Sequence, residues 1–220
     1  MPGRLLERFH RRRFVWLFVA LLATLGARPI LETLGSSRDP FDVMLGLCLA
    51  MAAVGLVRGP DLRGLVSLAF AAVALVGVGL VLALQSTGAF GVLVWIPVFL
   101  LAIVAAVRHA LGAGPVDSER IFAALDAYLL AGLLFASAFW ALETWRPGSI
   151  GGAVSGATPS LRDAVYLSFV TIATLGYGDI VPHSEAARGL AIVEAVGGQM
   201  YLAVLVARLV SLYARQHDSD

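Results

Sequence analysis

The sequence predicts an all-α membrane protein: six transmembrane helices, with a re-entrant helix and a loop set between the fifth and the sixth. Three observations predict it. Of the 220 residues, 59% are hydrophobic and 14% charged, a balance well away from that of a soluble domain. Six apolar runs fall near residues 14–34, 41–57, 62–84, 90–107, 121–142 and 185–207, each close to the roughly 17 to 25 residues that span a bilayer as a helix. A further apolar run, ending near Ile172, is far too short to cross, so it has to enter and turn back.

The first run is the least regular, because Arg28 and Pro29 interrupt it. The cluster Arg11-Arg12-Arg13 stands immediately before it, where basic residues fix topology, and this placement speaks against a nucleic-acid patch. No small-residue cleavage site follows the run, so it is expected to stay attached. The first four runs carry almost no polar residue inside them and are joined by short links such as Arg58-Gly59-Pro60-Asp61 and Gln85-Ser86-Thr87-Gly88. Residues 1–111 therefore read as a four-helix membrane unit. Cys48 is the single cysteine, which excludes an intrachain disulfide and a cysteine metal cluster.

The stretch Gly112-Ala113-Gly114-Pro115 marks a boundary, and residues 116–220 read as a second domain. Its expected parts are an outer helix at about 119–143, a short helix at about 159–173, a loop at 174–179 and an inner helix at about 185–215. All sixteen basic residues are arginine. With the N-terminus cytoplasmic, eleven of the sixteen arginines lie inside, as the positive-inside rule asks. Both termini are then cytoplasmic in the plasma (inner) membrane, and the loop at 174–179 opens outward.

Glu143 closes the outer helix, and a glycine-rich exposed loop follows at about 147–156. Thr158-Pro159 and Ser160-Leu161-Arg162-Asp163 then offer overlapping helix-start signals, an N-cap followed by proline and a capping box. The short helix so begun ends near Thr171. Its C-terminus carries the equivalent of roughly half a negative charge, so several such ends around one axis favour a cation. Non-helical backbone at membrane depth survives only where protein buries it or where it lines a water-filled cavity. That constraint places residues 174–178 at a pore.

The run Thr171-Ile172-Ala173-Thr174-Leu175-Gly176-Tyr177-Gly178-Asp179 resembles the potassium-channel signature, whose filter reads Thr-Val-Gly-Tyr-Gly. Leu175 changes a side chain and not a carbonyl. The resemblance covers the last two-fifths of the chain, and the tract from Glu194 to Val210 resembles small bacterial six-helix potassium channels with a two-helix pore domain. It implies that carbonyls of Thr174, Leu175, Gly176 and Tyr177 bind K+, the permeant ion, with Gly178 ending the stack. It also implies support of the filter by Asp179, by the pore-helix residue Thr171 and by Glu143, a gating hinge at Gly197 or Gly198, and a cavity lined by Gln199, Leu202 and Val206. Glu194 lies five residues before Gln199, roughly 140° around the helix, so it should face the back of the filter as a polar brace. One chain holds one filter strand, and the resemblance implies a homotetramer in membrane lipid.

The fourth run contains no arginine before Arg108, whereas a voltage sensor needs several within its fourth helix. Little voltage dependence is expected. Only a short stretch follows Arg215, so no cytosolic regulatory domain is expected either. Neither a metalloprotease motif, a nucleophile elbow nor a phosphate loop is present, so an enzyme is not expected, and no cofactor or nucleic-acid partner is implied. The function expected is passive, K+-selective conduction. A non-selective cation channel and a non-conducting membrane scaffold are the alternatives.

Overall fold

A computed structural model describes residues 12–26, 89–112, 117–152 and 159–217. In chain order these form α1 (Arg13–Gly26), α2 (Ala89–Ala110), α3 (Ser118–Trp145), β1 (Ile150–Gly152), α4 (Leu161–Ile172), β2 (Ile180–Pro182) and α5 (Glu185–His217). The second and third expected spans, with Cys48, lie outside the described residues, as do the second half of the first span and residues 153–158. Among the described helices, α3 and α5 are long and apolar enough to cross a membrane. The chain forms two compact units, one of Met1–Ser86 and Leu100–Ala127, the other of Thr87–Phe99 and Tyr128–Asp220.

In the first unit, α1 buries Phe14, Leu17, Leu21 and Thr24, a spacing that keeps them on one face of the helix. Its first turn carries backbone N–H groups that no helical carbonyl can reach. Glu119 answers one of them: Phe14 N donates to its Oε2 at 3.2 Å, and a carboxylate also suits the positive end of a helix. Aromatic contacts continue the seam, with Phe14 stacked on His109 at 4.6 Å and Phe18 edge-on to Phe122 at 5.4 Å.

In the second unit, Phe139 of α3, Ile150 of β1, Ala164 and Leu167 of α4 and Ala187 of α5 make one buried cluster. It joins α3, α4 and α5 at the end where α3 finishes. The short helix α4 runs over Leu161–Ile172, beginning at the second of the two expected start signals. The Asp163 carboxylate accepts the Ser160 N–H at 2.7 Å and the Ser160 hydroxyl at 2.8 Å, which fixes the entry.

The described residues are mostly helical, with one short strand pair added. The segment read as a loop contributes β1, which pairs antiparallel with β2 in the register Ile150 to Pro182, Gly151 to Val181 and Gly152 to Ile180. The glycines that suggested a loop serve close approach instead: a Cβ on Gly152 would collide with the Asp179 carbonyl oxygen. Glu143 anchors the pair from α3. Its two carboxylate oxygens accept the N–H groups of Gly148 and Ile150, each at 2.9 Å.

Candidate ion-conduction site

Beyond α4 the chain turns through residues whose backbone sets the site. Thr174, Gly176 and Gly178 have φ of 57°, 56° and 79°. Glycine takes that conformation freely, whereas Thr174 pays a steric cost for it. Left-handed backbone at every second position turns successive carbonyls the same way, where an ordinary strand would send them to opposite sides. The last turn of α4 holds the start of this run. Ala173 N donates to Phe169 O at 3.1 Å, Thr174 N to Thr171 O at 2.9 Å and Leu175 N to Val170 O at 2.9 Å. Thr171 thus meets the loop through its carbonyl.

The side chains of Leu175 and Tyr177 are 55% and 66% exposed, so in a single chain the loop stands open. Tyr177 stacks beside Tyr166 of α4, with centroids 6.5 Å apart and planes 14° apart. The Tyr166 hydroxyl donates to Asp179 Oδ2 at 2.8 Å. Tyr166, Tyr177 and Asp179 therefore connect the pore helix to both ends of the outer part of the loop. The sequence reading named Asp179 and missed Tyr166, its donor. The i, i+13 separation across a turn gave no periodic signal for it.

Behind the loop, Glu194 of α5 is fully buried and faces α4. Its Oε1 lies 2.5 Å from the Ser168 hydroxyl oxygen, which also reaches the Gly132 carbonyl of α3 at 2.6 Å. A hydroxyl has one proton to give. If Ser168 donates to Gly132, the contact with Glu194 requires the proton to sit on the carboxyl. The arrangement is a three-helix tie, with Ser168 between the outer and inner helices.

The inner helix runs unbroken through Gly197 and Gly198. The two glycines differ: a Cβ on Gly198 would sit 2.6 Å from Ile172 Cγ1, while one on Gly197 would meet nothing within 4 Å. Gly198 is thus a close-packing position against the end of the pore helix. Gln199 and Val206 are exposed in the single chain and Leu202 is half-buried. Ile192, Val193, Val196, Met200 and Val204 are exposed as well, which leaves much of α5 uncovered among its described side chains.

Residues 124–215 match the family model described as ion channel. The chain is 34% identical over 92 residues to the inward rectifier potassium channel Kirbac3.1 of Paramagnetospirillum magnetotacticum, a match covering 40% of this chain and 28% of that protein. It is also 34% identical over 90 residues to the two pore potassium channel c of rice, Oryza sativa subsp. japonica, covering 41% of this chain and 18% of the relative. Over 49 residues it is 47% identical to the two-pore potassium channel 4 of Arabidopsis thaliana, covering 22% of this chain and 17% of the relative. The chain thus spans under a third of the length of these curated relatives. No solved structure matches. The match takes in the greater part of α3 with all of α4, the loop and most of α5, and together with the apolar helices it makes this a membrane protein whose residues 124–215 carry an ion-channel domain.

Proposed function

We propose that this protein conducts K+ passively and selectively, through a pore whose filter is lined by the carbonyls of Thr174, Leu175, Gly176 and Tyr177. The observation that carries the reading is the positive φ at Thr174, Gly176 and Gly178. Carbonyl oxygens turned to one side can replace the hydration shell of a cation, which is how potassium filters bind their ion. The names of the relatives, all potassium channels, point the same way.

One chain supplies one side of such a pore, so closure needs further copies. The exposed apolar positions of α5 give the surface for this, and four copies complete the ring that the resemblance implies. Gln199, Leu202 and Val206 then face the cavity, with both termini cytoplasmic. Tyr177, turned toward α4, keeps its ring off the ion path.

The test is purified full-length protein in liposomes under a K+ gradient. The expected results are K+ flux, block by barium and a bi-ionic reversal potential that strongly favours K+ over Na+. Equal permeability for the two ions would make the protein a non-selective cation channel. Absence of any flux would make it a scaffold or subunit.

A further inference from the structure

A second tier of contacts lies one helical turn along from the Gly132–Ser168–Glu194 tie. Tyr128 precedes Gly132 by four residues on α3, Ile172 follows Ser168 by four on α4, and Gly198 and Tyr201 follow Glu194 by four and seven on α5. Residues so spaced share one helix face. The Tyr128 hydroxyl donates to the Ile172 carbonyl at 2.9 Å. The Tyr128 ring stacks on Tyr201, with centroids 6.4 Å and planes 22° apart. Gly198 lies against the Ile172 side chain, which is 1% exposed.

The last four carbonyls of a helix have no partner within it. In α4 those of Phe169, Val170 and Thr171 are taken by the chain as it turns into the loop. The fourth, that of Ile172, is taken by Tyr128 from another helix. Ile172 stands two residues before Thr174, whose left-handed backbone opens the filter. The carbonyl that Tyr128 holds therefore sets where that strained residue begins. Tyr201 in turn sets where the Tyr128 ring lies.

We propose that Tyr128 is a filter-positioning residue, and that through Tyr201 it links the position of the inner helix to the innermost carbonyl ring of the filter. The inference rests on the K+-channel reading. Loss of the hydroxyl frees the Ile172 carbonyl, lets Thr174 relax and loosens the ring that first meets an ion from the cavity. Loss of the Tyr201 ring has the same consequence by another route, because it leaves the hydroxyl in place and removes the surface that aims it.

The experiment is single-channel recording and bi-ionic reversal potentials on reconstituted wild type, Tyr128→Phe, Tyr201→Leu and the double variant. Ser137→Ala serves as control, since it removes a buried hydroxyl whose partner, the Leu133 carbonyl, lies in its own helix. The expected result is a fall in the K+ over Na+ permeability ratio and in mean open time of about fivefold in each single variant, the factor that one lost hydrogen bond typically corresponds to. The double variant should be no worse than either, and the control unchanged. Wild type without K+ current would overturn the channel reading itself. A conducting wild type with unchanged ratio and open times in Tyr128→Phe would overturn the positioning role alone. Should Tyr128→Phe fail to assemble, an unchanged Tyr201→Leu would overturn it equally.

Discussion

Glu194 shows how far a single side chain in this site is constrained. The carboxyl is buried and meets the Ser168 hydroxyl, and with that hydroxyl donating to the Gly132 carbonyl a neutral side chain with an N–H in the same place should serve. Glu194→Gln is expected to fold and conduct as wild type, whereas Glu194→Ala should destabilise by about 1 to 3 kcal/mol through the contact it leaves unmade. Thermal unfolding of the purified assembly together with K+ flux decides it, and a Gln variant as poor as Ala would mean that the carboxyl is charged. The paired glycines give a second contrast. Gly198→Ala forces a methyl group onto Ile172 and should cost about 1 to 3 kcal/mol by overpacking. Gly197→Ala should be neutral or stabilising by about 0.5 to 1 kcal/mol, since glycine weakens a helix interior. A thermal melt that ranks the two the other way would show that Gly197, and not Gly198, is the packed position.

The helices were legible element by element, because apolar length and capping chemistry are local signals. The short helix could be read from Ser160 and Asp163, and its end from the turn into the glycines. The strand pair could not. Three-residue strands give no usable period, and the glycines that let β1 approach Asp179 are the same residues that signal a loop. Tyr128, Tyr166 and Ser168 were missed for a related reason. Each acts through one hydroxyl on a different element, and hydroxyl partners leave no pattern along the sequence. Glu143, by contrast, was legible only through resemblance, and the structure gives the contacts behind it. Glu143→Ala leaves the N–H groups of Gly148 and Ile150 without that partner. It is expected to cost about 1 to 3 kcal/mol and to loosen β1 from β2, seen as faster amide exchange at residues 150–152, 180 and 181. Unchanged exchange would remove Glu143 from the support of the outer loop.

At the scale of the whole molecule, the family match covers residues 124–215 and says nothing of the first four apolar runs. What those runs do not contain is informative. Residues 90–107 lack the arginines that a voltage sensor needs, each worth about 2.3 kcal/mol per 100 mV. Open probability of the reconstituted channel should therefore change little between −100 and +100 mV, in ~100 mV steps of this same scale. A steep conductance–voltage curve would show that charge elsewhere in the chain moves through the field. The helical character of the described residues followed from composition because a bilayer restricts the choices. The arrangement around the filter did not, because it depends on which faces of three helices meet.

That arrangement fixes where the inner helix is free to move. Between Glu194 and Tyr201 it is held to the pore helix and the outer helix at two levels, and a turn by one residue position, about 100°, would carry both sets of side chains off their partners. The stretch is a splint. In the proposed channel, movement of α5 that keeps both levels of contact is confined to the part on the C-terminal side of Tyr201, a shorter lever than the length of the helix suggests.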